Sequence, residues 1–202
     1  MTQLISRRFL MQAGAAALLA ASQPTWATPA TPERLGADVL ARAYAAMMRH
    51  RHRFAHVDRI GIADFSRPSS GPRLFIVDLL NGRTSGHLVA HGRGSDPAHT
   101  GWVRRFSNDP GSLATSDGAY ATSNLYTGGH GRSMRLMGLD ADNSNAQARA
   151  IVVHAAWYVT PEIARSTGKL GRSEGCFAVS NDSLDEVLTR LGPGRLLYAD
   201  KA

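Results

Sequence analysis

The chain has 202 residues, of which 43% are hydrophobic and 19% charged. That is enough for one well-filled core and ordinary for a globular domain. The formal net charge is +7 and there is one cysteine, which excludes an internal disulfide and leaves either an inert buried thiol or a reactive one.

The N-terminus reads as an export signal. Ser6-Arg7-Arg8-Phe9-Leu10 supplies the charges, an alanine-rich apolar stretch over 11–21 the core, and Thr25-Trp26-Ala27 the small residues of a cleavage point. Paired arginines followed by Phe-Leu indicate the twin-arginine route. The alternative, a membrane anchor, is opposed by length, since roughly twelve apolar residues fall short of the ~20 that span a bilayer, and no later stretch looks like a span. Cleavage after Ala27 takes Arg7 and Arg8 from the 23 basic residues and leaves +5 against 16 acidic ones. Export to the periplasm or cell envelope sets a basic protein among anionic wall polymers and excludes nucleic acid as a partner by compartment.

A Pro- and Thr-rich linker and a helical prefix fill 28–56. Leu35, Val39, Leu40, Ala43 and Met47 recur at helical spacing across 33–49. His50, His52 and His56 follow in even spacing, but the arginines between them oppose a dication, so a solvated basic helix end is expected and no metal. From Arg59 the period becomes two. Strands are predicted over 60–65 and 73–80, turning at Asn81-Gly82 into a returning strand over 84–91. The polar segment 93–118 is too long for a bare connector and is expected to line a cleft. Further strands are predicted over 119–126, 134–139 and 151–159. Gly128-Gly129-His130-Gly131 forms a loop that exposes an imidazole, to contact substrate, to orient a second histidine or to face solvent. Asp140-Ala141-Asp142-Asn143 lacks the glycine and distal glutamate of a calcium loop and reads as a turn, with a helix cap at 145–149. Near the C-terminus Asn181 is expected to cap a helix carrying Leu184, Val187, Leu188 and Leu191, Gly192-Pro193-Gly194 to stop it, and 195–199 to form a last strand.

The chemistry concentrates in two places. Ile151-Val152-Val153-His154 is an apolar run ending in an imidazole, as a buried strand delivering a base would be. Gly171-Arg172-Ser173-Glu174-Gly175-Cys176-Phe177 sets the lone thiol beside a glycine that permits a sharp turn and close substrate approach. A thiol and an imidazole make a nucleophile and its base.

These residues resemble the catalytic domain of murein L,D-transpeptidases, as a divergent YkuD-like branch. The resemblance rests on His154 and Cys176, 22 positions apart, on Ser173-Glu174-Gly175-Cys176-Phe177, and on His91-Gly92, Phe106-Ser107-Asn108, Gly138-Leu139-Asp140 and Leu170-Gly171. It runs from about 75 to about 179. Glu174 and Ala178 stand where that family usually has a histidine and a polar residue. The resemblance implies a mainly β fold, a sandwich or curved sheet, over 57–202 with an N-terminal helix and a short C-terminal one. It implies a Cys176 thioester with a peptidoglycan tetrapeptide stem, passed to an amine acceptor, with His154, Ser173 and Gly175 completing the catalytic set and no cofactor or metal. His91, His130 and Arg172 are the candidate substrate-binding residues, Arg172 either holding a stem carboxylate or being a plain surface arginine. Carbapenems are the implied inhibitors. Three other readings stand beside it: an L,D-carboxypeptidase that gives the same thioester to water, a noncatalytic wall-binding protein that kept the fold, and a zinc peptidase using several of the eight histidines, for which a His-Glu-x-x-His helix is lacking.

Overall fold

The computed structural model describes residues 35–201, so the export signal expected at 1–27 and the start of the expected linker lie outside the described residues. The domain is mainly β with an N-terminal and a C-terminal helix, as expected, and carries a third helix between them. Its nine strands are β1 Arg59–Asp64, β2 Leu74–Asp78, β3 Thr84–His87, β4 Val89–Ala90, β5 Gly118–Gly128, β6 Gly131–Gly138, β7 Val152–Ala155, β8 Phe177–Val179 and β9 Leu196–Asp200. The helices are α1 Ala37–Arg49, α2 Pro161–Thr167 and α3 Asn181–Leu191.

The strands form one continuous sheet in the order β3-β2-β1-β9-β5-β6-β7-β8-β4. Neighbours are antiparallel except for β1 with β9 and β7 with β8. The alternation read from the sequence sorts side chains onto two faces. On one face Leu74, Ile76, Tyr120, Phe177, Leu197 and Ala199 pack under Val187, Leu188 and Leu191 of α3. On the other, Ile60, Ile62, Val77, Ala119, Ala121 and Leu196 receive Val39, Ala43, Ala46 and Met47 of α1. Gly61 lets α3 come close, since a Cβ there would stand 2.9 Å from Leu197 Cδ1 and 3.1 Å from Leu191 Cδ1.

Several local expectations are corrected. The returning strand is broken at Leu88 into β3 and β4, which pair with β2 and β8 at opposite edges of the sheet. The Ile151 strand ends at Ala155, and α2 follows, with Thr160 accepting from the Ile163 amide and proline at the first turn. Ser180, not Asn181, caps α3, its side chain accepting from the Ser183 amide. Residues 144–150 are successive turns and not helix. The oxygen-rich run before them is used internally: Asp140 and Asn143 form a capping box, and both bond the Ala119 backbone. The basic run after α1 is one exposed 3-10 turn at Arg51–Arg53, and His50 Nε2 meets Asp140 Oδ1 at 2.8 Å. Among the described residues no helix is long and apolar enough to cross a membrane.

Candidate active site

The site is built where β7 and β8 run side by side. Their register sets Val153 against Phe177 and His154 against Ala178. Extending it by one residue puts Cys176, which immediately precedes β8, opposite Val152. Side chains two apart on one strand share a face, so Cys176 and His154 lie on the same face. Strand spacing and rise put their Cα atoms about 8 Å apart.

The loop entering β8 is held from three directions. Gly92 and Ser173 form an isolated parallel bridge, the Ser173 amide donating to the His91 carbonyl at 2.9 Å and the Arg93 amide to the Ser173 carbonyl at 2.8 Å. Ser173 is buried, and its Oγ donates to the Cys176 carbonyl at 2.7 Å while accepting from the Gly175 amide at 3.2 Å. It therefore steadies the turn, and that bond takes up the Gly175 N–H. Gly175 has φ +119, and a Cβ there would stand 2.7 Å from Ile151 Cδ1 and 2.8 Å from the Ala114 carbonyl. The third hold is Arg172, whose Nη1 donates to the carbonyls of Asp96 and Pro97. Arg172 is not among the residues lining the pocket at Cys176; it clips the 96–97 backbone to the loop.

His154 is 3% exposed, and its Nδ1 lies 2.8 Å from the Ala155 carbonyl. A carbonyl only accepts, so Nδ1 carries the proton and Nε2 keeps its lone pair. Burial lowers the His154 pKa; the Ala155 carbonyl raises it and His130 lowers it again. His130, at the tip of the β5–β6 hairpin, stacks on His154 with centroids 4.3 Å apart. It thus covers the His154 ring, and it also lines the pocket at Cys176.

That pocket encloses about 350 Å³ and includes Cys176, His130, Glu174, Arg149, Ala150 and Leu113. The 93–118 segment does line it, through Pro110, Gly111 and Leu113. The Cys176 Sγ donates to the Ala150 carbonyl at 3.5 Å and makes no hydrogen bond to His154. Reaching the His154 lone pair from this thiol geometry takes a side-chain rotation. Burial pushes the thiol pKa up; the Val152 amide and Arg149 push it down, and Glu174 pushes it up. Glu174 is turned to the rim, where its side chain is 68% exposed and its Oε1 meets Arg93 Nη2 at 2.6 Å. Tyr158 lies beneath the loop, its pKa pushed up to about 12 by burial, then by Cys176 and Glu174.

His91 does not reach this pocket. It is 1% exposed, with Nδ1 2.6 Å from Arg73 Nη2 and Nε2 3.5 Å from Asp96 Oδ2. A side chain without solvent access cannot take substrate, so the substrate-binding role expected of it is replaced by a place in a buried polar group beneath the Cys176 loop. Arg149 was not foreseen, because it falls in a polar turn with no periodicity or motif to single it out. Among the described residues no cluster of three or more His, Cys, Asp or Glu side chains is arranged to hold a metal ion.

Fold and site together define a mainly β domain organised around a covered histidine on β7 and one cysteine at the entry to the adjacent parallel strand β8. Residues 32–199 match the family model of the L,D-transpeptidase catalytic domain, and the chain belongs to that family. Among solved structures it is similar to an L,D-transpeptidase from Mycobacterium smegmatis, with 12% identity over 71% of this chain and 58% of that one and a TM-score of 0.43. It is similar to LdtMt1 in complex with imipenem, with 15% identity over 71% and 59% and a TM-score of 0.43. The helical cell shape determining protein Pgp2 from Campylobacter jejuni has 12% identity over 73% and 48%, with a TM-score of 0.47. The chain thus spans roughly half to six-tenths of the length of these structures. No curated protein matches it.

Proposed function

We propose that the chain is an exported peptidoglycan L,D-transpeptidase acting through a Cys176 thioester. The observation that supports this most is the pairing of β7 with β8, which sets the lone thiol on the same face as an imidazole whose Nδ1 is tied to a carbonyl and whose Nε2 is a lone-pair base. In the proposed reaction the Sγ proton moves to His154 Nε2 as sulfur attacks the carbonyl linking meso-diaminopimelate to the terminal D-alanine of a tetrapeptide stem. The Gly175 amide is engaged by Ser173, so the Cys176 N–H is the candidate donor for the developing oxyanion. The C–N bond breaks, His154 returns its proton to the departing D-alanine amine, and a thioester remains. The side-chain amine of a second stem then attacks, its proton passes to His154, and the thiol is released as the new amide forms. On this reading His130 shields the imidazole from water. The N-terminal segment is a twin-arginine signal cleaved after Ala27, and the mature enzyme works in the periplasm or envelope.

A carbapenem tests this directly, since a structural neighbour is a complex with imipenem and ring opening by a thiolate adds the whole drug. Intact mass spectrometry after meropenem treatment is expected to show one adduct on the wild type and none on Cys176→Ala. An unmodified wild type overturns the proposal.

A further inference from the structure

Arg149 closes the turn that leads into β7, and its guanidinium is locked in place. Nη1 donates to the Ser107 carbonyl and to Ser116 Oγ, each at 2.7 Å, and Nη2 donates to the Ala114 carbonyl. All three acceptors are neutral, and among the described residues no carboxylate forms an ion pair with it. Two of its five N–H groups, the Nε hydrogen and one on Nη2, have no hydrogen-bond partner among the described residues. A half-buried cation is commonly matched by a nearby anion. Arg149 lines the same pocket as the Cys176 thiol. Two details bring them together. A Cβ at Gly175 would stand 3.3 Å from Arg149 Nη2, so the missing side chain lets the guanidinium lie against the Cys176 loop. The Cys176 sulfur is 3.5 Å from the carbonyl of Ala150, the residue after Arg149, and Ala150 is held at φ +53, a conformation uncommon outside glycine.

We propose that Arg149 is a positioning residue of this site, its guanidinium fixed by three neutral oxygens as the standing counter-cation of the Cys176 thiolate. The inference rests on Cys176 being the nucleophile of the reaction proposed above. In many thiol enzymes an adjacent imidazolium serves as counter-ion. Here the burial of His154 and the His130 ring stacked on it disfavour a charged ring on His154, so a group that stays charged at every working pH takes that part. The proton still travels from Sγ to His154 Nε2 during attack, and Arg149 stabilises the sulfur anion left behind. The other ionisable groups about the sulfur are Glu174 on its own loop, tied to Arg93, His130 on the β5–β6 hairpin, His154 on β7 and Tyr158 beyond it. Asp109, on the loop that Arg149 braces, acts on the arginine and accepts from Ser107 Oγ.

Because Cys176 is the only cysteine, its alkylation by iodoacetamide, followed by intact mass against pH, reads thiolate formation without any substrate. Arg149→Gln, which keeps amide donors and loses the charge, is expected to move the titration up by about one pH unit and slow alkylation at pH 7 about tenfold. Arg149→Lys, which keeps the charge and loses the fork, should stay within about threefold of the wild type. Ser116→Ala removes one brace and should leave the midpoint unchanged. Equal shifts for Gln and Lys would mean that only the loop geometry mattered and would overturn the proposal, as would an unshifted Gln variant. If Gln fails to fold, the Lys variant decides: a tenfold loss there overturns the proposal and a wild-type midpoint supports it. Failure of the carbapenem adduct with a normal Arg149 series would instead count against the transpeptidase reading alone.

Discussion

The imidazole of His130 lies nearly parallel to that of His154, centroids 4.3 Å apart and planes 22° apart. This contact and the burial of His154 both disfavour its imidazolium form, so the base form persists below the ordinary histidine range. The acid limb of the pH dependence of carbapenem acylation should therefore lie below pH 6.5. His130→Ala removes the neighbouring ring and opens His154 to water, and both changes favour protonation. The limb is then expected to move up toward 6.5; an unmoved limb would mean that His130 does not tune the base.

Glu174 stands where a histidine is usual in the family, yet its charge is met at the rim by Arg93 at 2.6 Å. Both side chains are largely exposed, so the coupling to the thiol is modest. Glu174→Gln should speed iodoacetamide alkylation of Cys176 at pH 7 by about two- to threefold. Arg93→Ala, which releases the carboxylate, should slow it. Opposite signs in the two variants are the signature to look for, and matching signs would refute the arrangement.

Gly175 combines a positive φ with a crowded surrounding, whereas Gly111 has φ +75 and open space. Alanine costs about 1–2 kcal/mol wherever φ must be positive, and overpacking adds about 1–3 kcal/mol. Urea unfolding should accordingly show Gly175→Ala destabilised by more than Gly111→Ala, and carbapenem acylation should suffer in the first variant alone.

Burial, then Arg73, lowers the His91 pKa to about 3, with Asp96 opposing. The unfolded chain takes up this proton near pH 6.5 while the folded chain refuses it until about pH 3, so the unfolded state binds more protons throughout that window. Stability is full above pH 6.5 and declines as pH falls toward 3. His87 and His154, also lowered by burial, act in the same direction. Urea midpoints at pH 7 and pH 5 should differ less in His91→Asn than in the wild type, and equal differences would show that His91 does not contribute.

The sequence by itself determined strands such as β1 and helices such as α1, because alternation at Ile60 and Ile62 or helical spacing at Val39, Ala43 and Met47 is a local property of neighbouring residues. It also singled out Cys176 and His154, since a lone thiol among glycines and an imidazole ending an apolar run are rare enough to stand out in a linear reading. Only the tertiary structure decided that His91 is sealed in with Arg73 and Asp96, that Glu174 turns outward to Arg93, and that Arg149 lines the pocket of the thiol. Those relationships join residues 18, 81 and 27 positions apart in the chain. They depend on strand order and on which loops close over one edge of the sheet, quantities set by the summed packing of the whole core and carried by no single stretch of the chain.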